Sequence, residues 1–428
     1  MTDMSTRDLL MQLFQAAVRS ADPEQCLPPA LPDIPENGKL IILGAGKGSA
    51  AMVRAAEGHY RDKQVLDKVT GFAVTRSGFA LPTEQIALLE AGHPVPDEMS
   101  VSAAQKALEI ASGAQQDDVV LVLLSGGASA LWTAPADGVS LSEKQELTRD
   151  LLASGAPIDE INCVRKHIST IKGGRLARAA APARLITLAV SDVAGDEPSA
   201  IGSGPTVGDP TTLEDARTIL RERGITPAPS IAAALDDPAN ETPDPGDAVF
   251  RNTHFRLVAR PAGALAAAEE LIRSRGYVPT MLGDALEGQA HTLGGAHGTI
   301  ALECKSQGQR TALLSGGETT VLVRGDGRGG PNQEYALALA LALDGAEGIS
   351  ALAADTDGVD GGDGAADDPA GAIIDETTLS RARATGLEPA SFLENNDSTG
   401  FFSALDDLVI TGPTHTNVND FRVILIDP

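Results

Sequence analysis

The stretch Leu40–Ala51, LIILGAGKGSAA, restricts the fold more than any other part of the chain. Leu40 to Leu43 form a short apolar run of the kind that makes a buried strand, and Gly44, Gly46 and Gly48 follow around Lys47. Ser49 to Val53 and Ala55 to Glu57 suit a helix, so the glycines form a turn between a strand and a helix N-terminus. Backbone N–H groups point out of such a terminus, and glycine lets an anion approach the chain closely. Two well-known glycine motifs do not fit. The P-loop needs a glycine where this chain has Ile41, and Ser or Thr where it has Gly48. The dinucleotide fingerprint needs Gly or Ala where this chain has Ser49, and Asp67, at the distance of a ribose contact, does not restore it. The turn is either a plain junction with a solvated lysine or an anion loop of another kind.

Alternation of strands and helices extends this beginning into a domain. An amphipathic helix over about residues 5–20 and a Pro-rich connection, 23–35, precede the organising strand. Residues 69–74, 85–91, 119–124 and 184–190 read as strands, with helices over 99–111, 142–153 and 160–171. This order implies a parallel sheet covered on both faces. Residues 225–247, rich in Pro and Asp, mark a boundary, which gives domains 1–236 and 248–428. A second α/β series follows, with strands at 254–259, 311–314 and 349–354 and helices at 262–275 and 332–343. LLSGG occurs at 123–127 and again at 313–317, which fits either related halves or a shared strand-ending turn.

Ligands of an open parallel sheet bind beyond the carboxyl ends of its strands. The residues there are Gly46, Lys47 and Ser49, then Ser125, Gly126, Gly127 and Ser129, then Asp192, then Gly204 and Thr206 of IGSGPT. Each alone could be ordinary turn chemistry, and SGGAS also suits a backbone cradle for phosphate. Residues 162–178, NCVRKHISTIKGGRLAR, concentrate positive charge; this is either a solvated face or a site where Arg165, Lys166 and Lys172 bind a carboxylate or phosphate. His167 reads as structural. In the second series, a glycine turn holding Arg328 precedes a helix that begins near Asn332 and has Glu334 in its first turn. Asp355, Asp357, Asp360 and Asp363 crowd one loop that fails the EF-hand template; it is either acidic turn structure or a Mg²⁺ site shared with substrate phosphates.

Composition narrows the partners. A net charge of −26 argues against nucleic acid or an anionic membrane surface, and makes the local basic segment stand out. Aromatics are 3%, so the core of a chain that is 42% hydrophobic must rest on Ala, Val, Leu and Ile. Cys26, Cys163 and Cys304 have no zinc or disulfide spacing, which suggests a reducing compartment. The first residues lack a signal-peptide pattern and no apolar run reaches the roughly 18 residues of a membrane span, so the expected location is cytoplasmic.

Taken together, these segments resemble the class II glycerate 2-kinases, whose C-terminal part is the MOFRL domain and whose members have often been labelled hydroxypyruvate reductases. The resemblance rests on GAGKGSA at 44–50, GHPVPDE at 92–98, LLSGGASAL at 123–131, INCVRKHIS at 161–169, KGGRLA at 172–177, SDVAGD at 191–196, IGSGPT at 201–206, LSGGETTV at 314–321, NQE at 332–334, DTDGVDG at 355–361 and GPTHTNVND at 412–420. It implies a larger Rossmann-like domain and a smaller α/β MOFRL domain with the active site in a cleft between them. It also implies ATP- and Mg²⁺-dependent phosphorylation of the 2-hydroxyl of D-glycerate. On that basis Lys47 contacts the phosphoryl group, Asp192 accepts the hydroxyl proton or binds Mg²⁺, and Arg165 or Arg328 holds the carboxylate. Ser125, Gly126, Gly127, Ser129, Lys172, Gly204, Thr206, Asn332 and Glu334 would line the substrates, with Asp355 and Asp357 as metal ligands. Family members commonly have arginine before NQE where this chain has Pro331. The competing expectations are an NAD(P)H-dependent hydroxypyruvate reductase and a non-enzymatic phosphosugar sensor. The oligomeric state stays open.

Overall fold

A computed structural model describes residues 5–362 and 367–428. The chain divides into two compact units, one running from Cys26 to Val258 and the other built from the two ends of the chain, up to Gln25 and from Ala259. In the first unit β1 (Leu40–Ala45), β2 (Val69–Arg76), β3 (Ala87–Ala91), β4 (Val119–Leu124), β5 (Arg184–Val190) and β6 (Thr253–Ala259) form one sheet in the order β3-β2-β1-β4-β5-β6. The pairs from β3 through to β5 are parallel. Every residue of β1 and β4 is buried, as expected of strands covered on both faces. This is the doubly wound Rossmann order, and its direction reverses between β1 and β4.

Small side chains let the covering helices come close. Ala103, Ala104, Ala107 and Ala111 of the helix Glu98–Ser112 share one core with Ile41, Leu43, Val120, Val122 and Trp132. A second, helical core joins Leu147 and Leu151 to Ile161, Val164, Leu213, Leu220, Ile231 and Leu235. Residues 225–247 are therefore not an extended connection. They carry the helix Pro229–Asp236, whose Ile231, Ala234 and Leu235 are buried in that core. The strand expected to begin the second series is β6, which joins the first sheet beside β5.

The other unit holds a mixed sheet of β7 (Val278–Gln289), β8 (Thr311–Thr320), β9 (Ile349–Asp355), β10 (Gly371–Ile374), β11 (Leu408–Val409) and β12 (Asp420–Ile426), in the order β11-β10-β9-β12-β8-β7. β12 is antiparallel to both β8 and β9, while β7 and β8 are parallel. The amphipathic helix Thr6–Ser20 belongs here: its buried stripe includes Phe14, whose ring lies 6.2 Å from that of Phe421 on β12. The two LLSGG copies occupy different places. The first closes β4 and turns, whereas the second lies inside β8. No helix among the described residues is long and apolar enough to cross a membrane.

The helix Pro331–Leu343 is anchored at its start by Asp360. The Asp360 carboxylate accepts from the Asn332 and Gln333 backbone N–H groups, both at 2.9 Å, and from the side-chain amides of the same residues at 3.1 and 3.0 Å. Pro331 sits at the first helical position, where its missing N–H costs nothing. Asp360→Ala would leave these buried donors unsatisfied, and should destabilise the protein by about 3 kcal/mol or more in thermal or denaturant unfolding.

Candidate functional site

At the reversal point, the turns after β1 and β4 are bonded to each other. The Lys47 N–H donates to the Gly126 carbonyl at 2.7 Å, the Gly48 N–H donates to Ser125 Oγ at 2.9 Å, and the Ser125 N–H reaches Ala45 O at 3.1 Å. A Cβ on Gly46, where φ is +132°, would strike the Ser125 backbone. Ser49 is fully buried and its hydroxyl donates to Val74 O at 2.6 Å. The Ser49 and Ser125 hydroxyls thus hold the loops in register. Gly127 has φ +82°, and a Cβ there would sit 2.7 Å from the His93 ring and 3.5 Å from Lys47 Cγ. Lys47, Gly127 and His93 therefore meet at one point. His93 was given no role on sequence grounds; its GHPVPDE segment shows no local chemistry.

The basic segment divides into paired and unpaired charges. Lys166 is buried against Asp209, with its Nζ at 3.2 Å. His167 lies with Nδ1 2.9 Å from Cys163 O and Nε2 3.2 Å from both Glu241 and Thr242 Oγ1, which is a structural setting. Lys172 is 1% exposed, and its Nζ donates to Ser129 O at 2.6 Å and Ser129 Oγ at 3.0 Å. Ser129 Oγ is in turn 2.8 Å from Ser203 Oγ. The loop 172–174 is tied to the loop 203–205 by Gly173 N–H to Ser203 O and Gly174 N–H to Gly204 O, at 3.0 and 2.7 Å. Thr206 Oγ1 is hydrogen-bonded to Thr187 on β5, and Asp192 lies half-buried just beyond the end of β5.

A further lysine joins this group. Lys144, on the helix Leu141–Ala153, is 5% exposed and its Nζ donates to Ile168 O at 3.1 Å and to Arg165 O at 3.4 Å. In sequence Lys144 looks like one more charge on a polar helix, so nothing local distinguishes it. None of Lys144, Arg165 and Lys172 belongs to an ion pair among the described residues, and the buried Arg165 Nε has no hydrogen-bond partner. Burial and then the neighbouring positive charges push Lys172 well below the ordinary lysine value and Lys144 down to about 7, and burial lowers Arg165 as well. Three cations without a counter-ion among the described residues, in a chain of net charge −26, form a candidate site for an anion.

The remaining candidates lie in the other unit. Arg328 is ion-paired with Asp368, although its side chain remains 56% exposed. Asn332 donates its side-chain amide to Asp360 and to Asp420, the latter at 2.6 Å, so it serves the buried polar core beneath the helix start. Glu334 lies 3.3 Å from His291 Nδ1 and accepts from Asn396 at 3.2 Å. Asp355 and Asp357 each accept a turn N–H two residues ahead, from Asp357 and Val359, both at 2.9 Å. Asp363 lies outside the described residues. Among the described residues, no group of three or more His, Cys, Asp and Glu side chains is arranged to hold a metal ion.

Family models match both parts of the chain: the family described as a domain of unknown function, DUF4147, over residues 9–236, and the MOFRL family over residues 311–420. A protein of Agrobacterium vitis named "Putative hydroxypyruvate reductase" is 48% identical over 99% of this chain and 95% of its own length. The D-glycerate 2-kinase of Thermotoga maritima is 37% identical over 99% of each chain. The crystal structure of glycerate kinase from the same organism superposes with a TM-score of 0.87 at 36% identity, covering 98% of this chain and 99% of that one.

If Arg165 is kept for an anion rather than for the fold, removing its charge should not destabilise the empty protein. Arg165→Met should leave unfolding stability equal or raise it by about 1 kcal/mol, and should abolish the stabilisation that sulfate confers on the wild type. Denaturant unfolding with and without sulfate measures both.

Proposed function

Because the chain belongs to the glycerate 2-kinase family formed by the DUF4147 and MOFRL domains, we propose that it phosphorylates D-glycerate at the 2-hydroxyl with ATP, giving 2-phosphoglycerate. The observation that most supports this reading is the group of unpaired cations, Arg165, Lys172 and Lys144, beyond the carboxyl ends of a parallel sheet. Phosphoryl transfer depends on positioning and on neutralising charge, and both substrates are anions.

In this reading, the N–H groups of Gly126 and Gly127 face phosphate oxygens beside the Gly46–Ser49 turn, whose own N–H groups are used within the protein, and Lys47 meets the phosphoryl group in transit. Arg165 and Lys172, with Ser129, hold the glycerate carboxylate, and Gly204 and Thr206 shape the loop behind them. Arg165 is preferred to Arg328 for the carboxylate because the Arg328 guanidinium already faces Asp368. Asp192 orients the 2-hydroxyl and accepts its proton. Asp192, or Asp355 with Asp357, would hold a Mg²⁺ ion, since one or two carboxylates suffice for it, and the ion would supply positive charge against the phosphates of ATP. Asn332 and Glu334 keep the second unit's loop in place.

A hydroxypyruvate reductase, the activity in the name of the Agrobacterium relative, would need a dinucleotide site. The third fingerprint position is Ser49, which is buried with its hydroxyl on Val74 O.

The test is to supply ATP, Mg²⁺ and D-glycerate and to detect product with enolase, pyruvate kinase and lactate dehydrogenase, without phosphoglycerate mutase. Signal is expected directly; signal only after adding the mutase would reassign the product to the 3-phosphate. NADH oxidation with hydroxypyruvate alone would instead support the reductase. Lys47→Ala should lower kcat about 10²- to 10³-fold, the scale of losing one preorganised charge donor. Arg165→Met should raise KM for D-glycerate about tenfold or more, whereas Arg328→Ala should change it by less than about threefold.

A further inference from the structure

Lys144 is hydrogen-bonded to the end of the helix that carries Arg165. The carbonyls it binds, Arg165 O and Ile168 O, belong to the last turn and C-cap of the helix Ile158–His167. Carbonyls at a helix end have no partner within the helix, and a lysine amine is one of the groups that can supply one. Lys144 therefore fixes the turn from which Arg165 projects.

The surrounding charges show what else it does. Lys144 senses Arg165 and Arg175, and Lys172 senses Arg165 and Lys144, so the charges that bear on both amines are all positive. The carboxylates packed nearby serve other groups: Asp209 pairs with Lys166, Glu241 faces His167, and both act on Arg175, whose guanidinium donates to Lys166 O and Asn240 O. Among the described residues, each hydrogen-bond partner of the two amines is a carbonyl or hydroxyl oxygen. Two desolvated ammonium groups beside a desolvated guanidinium cannot all keep their charge at ordinary affinity, and an arriving anion reverses that balance.

We propose that Lys144 is a positioning residue of the anion site, and that the Lys144–Lys172 pair takes up a proton when the substrate's anionic group enters. The inference rests on the reading of this cluster as the substrate anion site. Its sign follows from linkage. Lys144 titrates lower in the empty protein, near 7, than an ordinary lysine, so above about pH 7 the empty site lacks the proton that the anion-bound site holds. Anion affinity should therefore fall as pH rises through that range.

The experiment is isothermal titration of the full-length protein at about pH 8 in two buffers of different protonation enthalpy, with sodium sulfate and, separately, D-glycerate. Neither probe titrates there, so any proton exchanged belongs to the protein. The wild type should take up about half a proton or more per anion. Lys144→Arg, which keeps the donor and cannot lose its charge, should bind within about threefold of the wild type and take up less than half as many protons. Lys144→Gln should bind about tenfold more weakly at pH 7, with D-glycerate KM raised more than kcat is lowered; if it fails to fold, the arginine variant still decides. Uptake with sulfate but no binding of D-glycerate would uphold the proton linkage and overturn the glycerate reading. Absence of uptake with both anions, failure of both to bind, or unchanged uptake in Lys144→Arg would overturn the proposal.

Discussion

Burying a cation without a counter-ion costs free energy, and a folded chain keeps one only where the surrounding structure is stable enough to sustain it. Here three such side chains, Lys144, Arg165 and Lys172, are gathered in the first unit while Lys166, beside them, has Asp209. The contrast is instructive because the chain carries 59 acidic residues and could have matched every cation. Left unmatched among the described residues, these three side chains keep a positive field that an anion from outside the chain can offset. The scaffold that sustains the cost is the sheet with β1 and β4 at its centre, buried along their whole length.

The same sheet determines where the field is placed. Strand order reverses between β1 and β4, and the turns that follow them meet beyond the strand ends, tied together by the Lys47 N–H on Gly126 O and the Gly48 N–H on Ser125 Oγ. Gly46 and Gly127 take conformations and close contacts that a side chain would forbid, and these bring Lys47 and His93 to the edge of the β4 turn. From Gly127 the chain runs directly to Ser129, which holds Lys172. Glycine turn and cation group are thus contiguous parts of one surface, suited to a substrate that carries negative charge at more than one point.

Much of this was legible in the chain. Val119–Leu124 is an unbroken apolar run and Leu185–Val190 is interrupted only by Thr187, and a run apolar on both faces has few alternatives to a central parallel strand. β7 was not legible, because its residues are largely exposed and show no clean alternation. β12, by contrast, contains an apolar run, VILI, that could have been read as a strand. The place of β6 in the first sheet and of the helix Thr6–Ser20 in the second unit depends on contacts far apart in sequence, which periodicity does not encode. In the site, Arg165 and Lys172 stood out by local charge contrast. Lys144 did not, since its meaning lies in the carbonyls of Arg165 and Ile168, some twenty residues later. Asp360 shows the opposite difficulty: an aspartate in a glycine-rich acidic loop suggests a metal, and its carboxylate is instead occupied by a helix N-terminus.

The central claim is that the unmatched cations of the first unit receive the anion. Selenate, an anion of fixed charge with an anomalous scattering signal, tests it most directly when soaked into crystals of the protein. The account predicts a strong anomalous peak within hydrogen-bonding distance of the Arg165 guanidinium, beside Lys172 and Ser129. A well-occupied peak at Arg328, with none at Arg165, would contradict it.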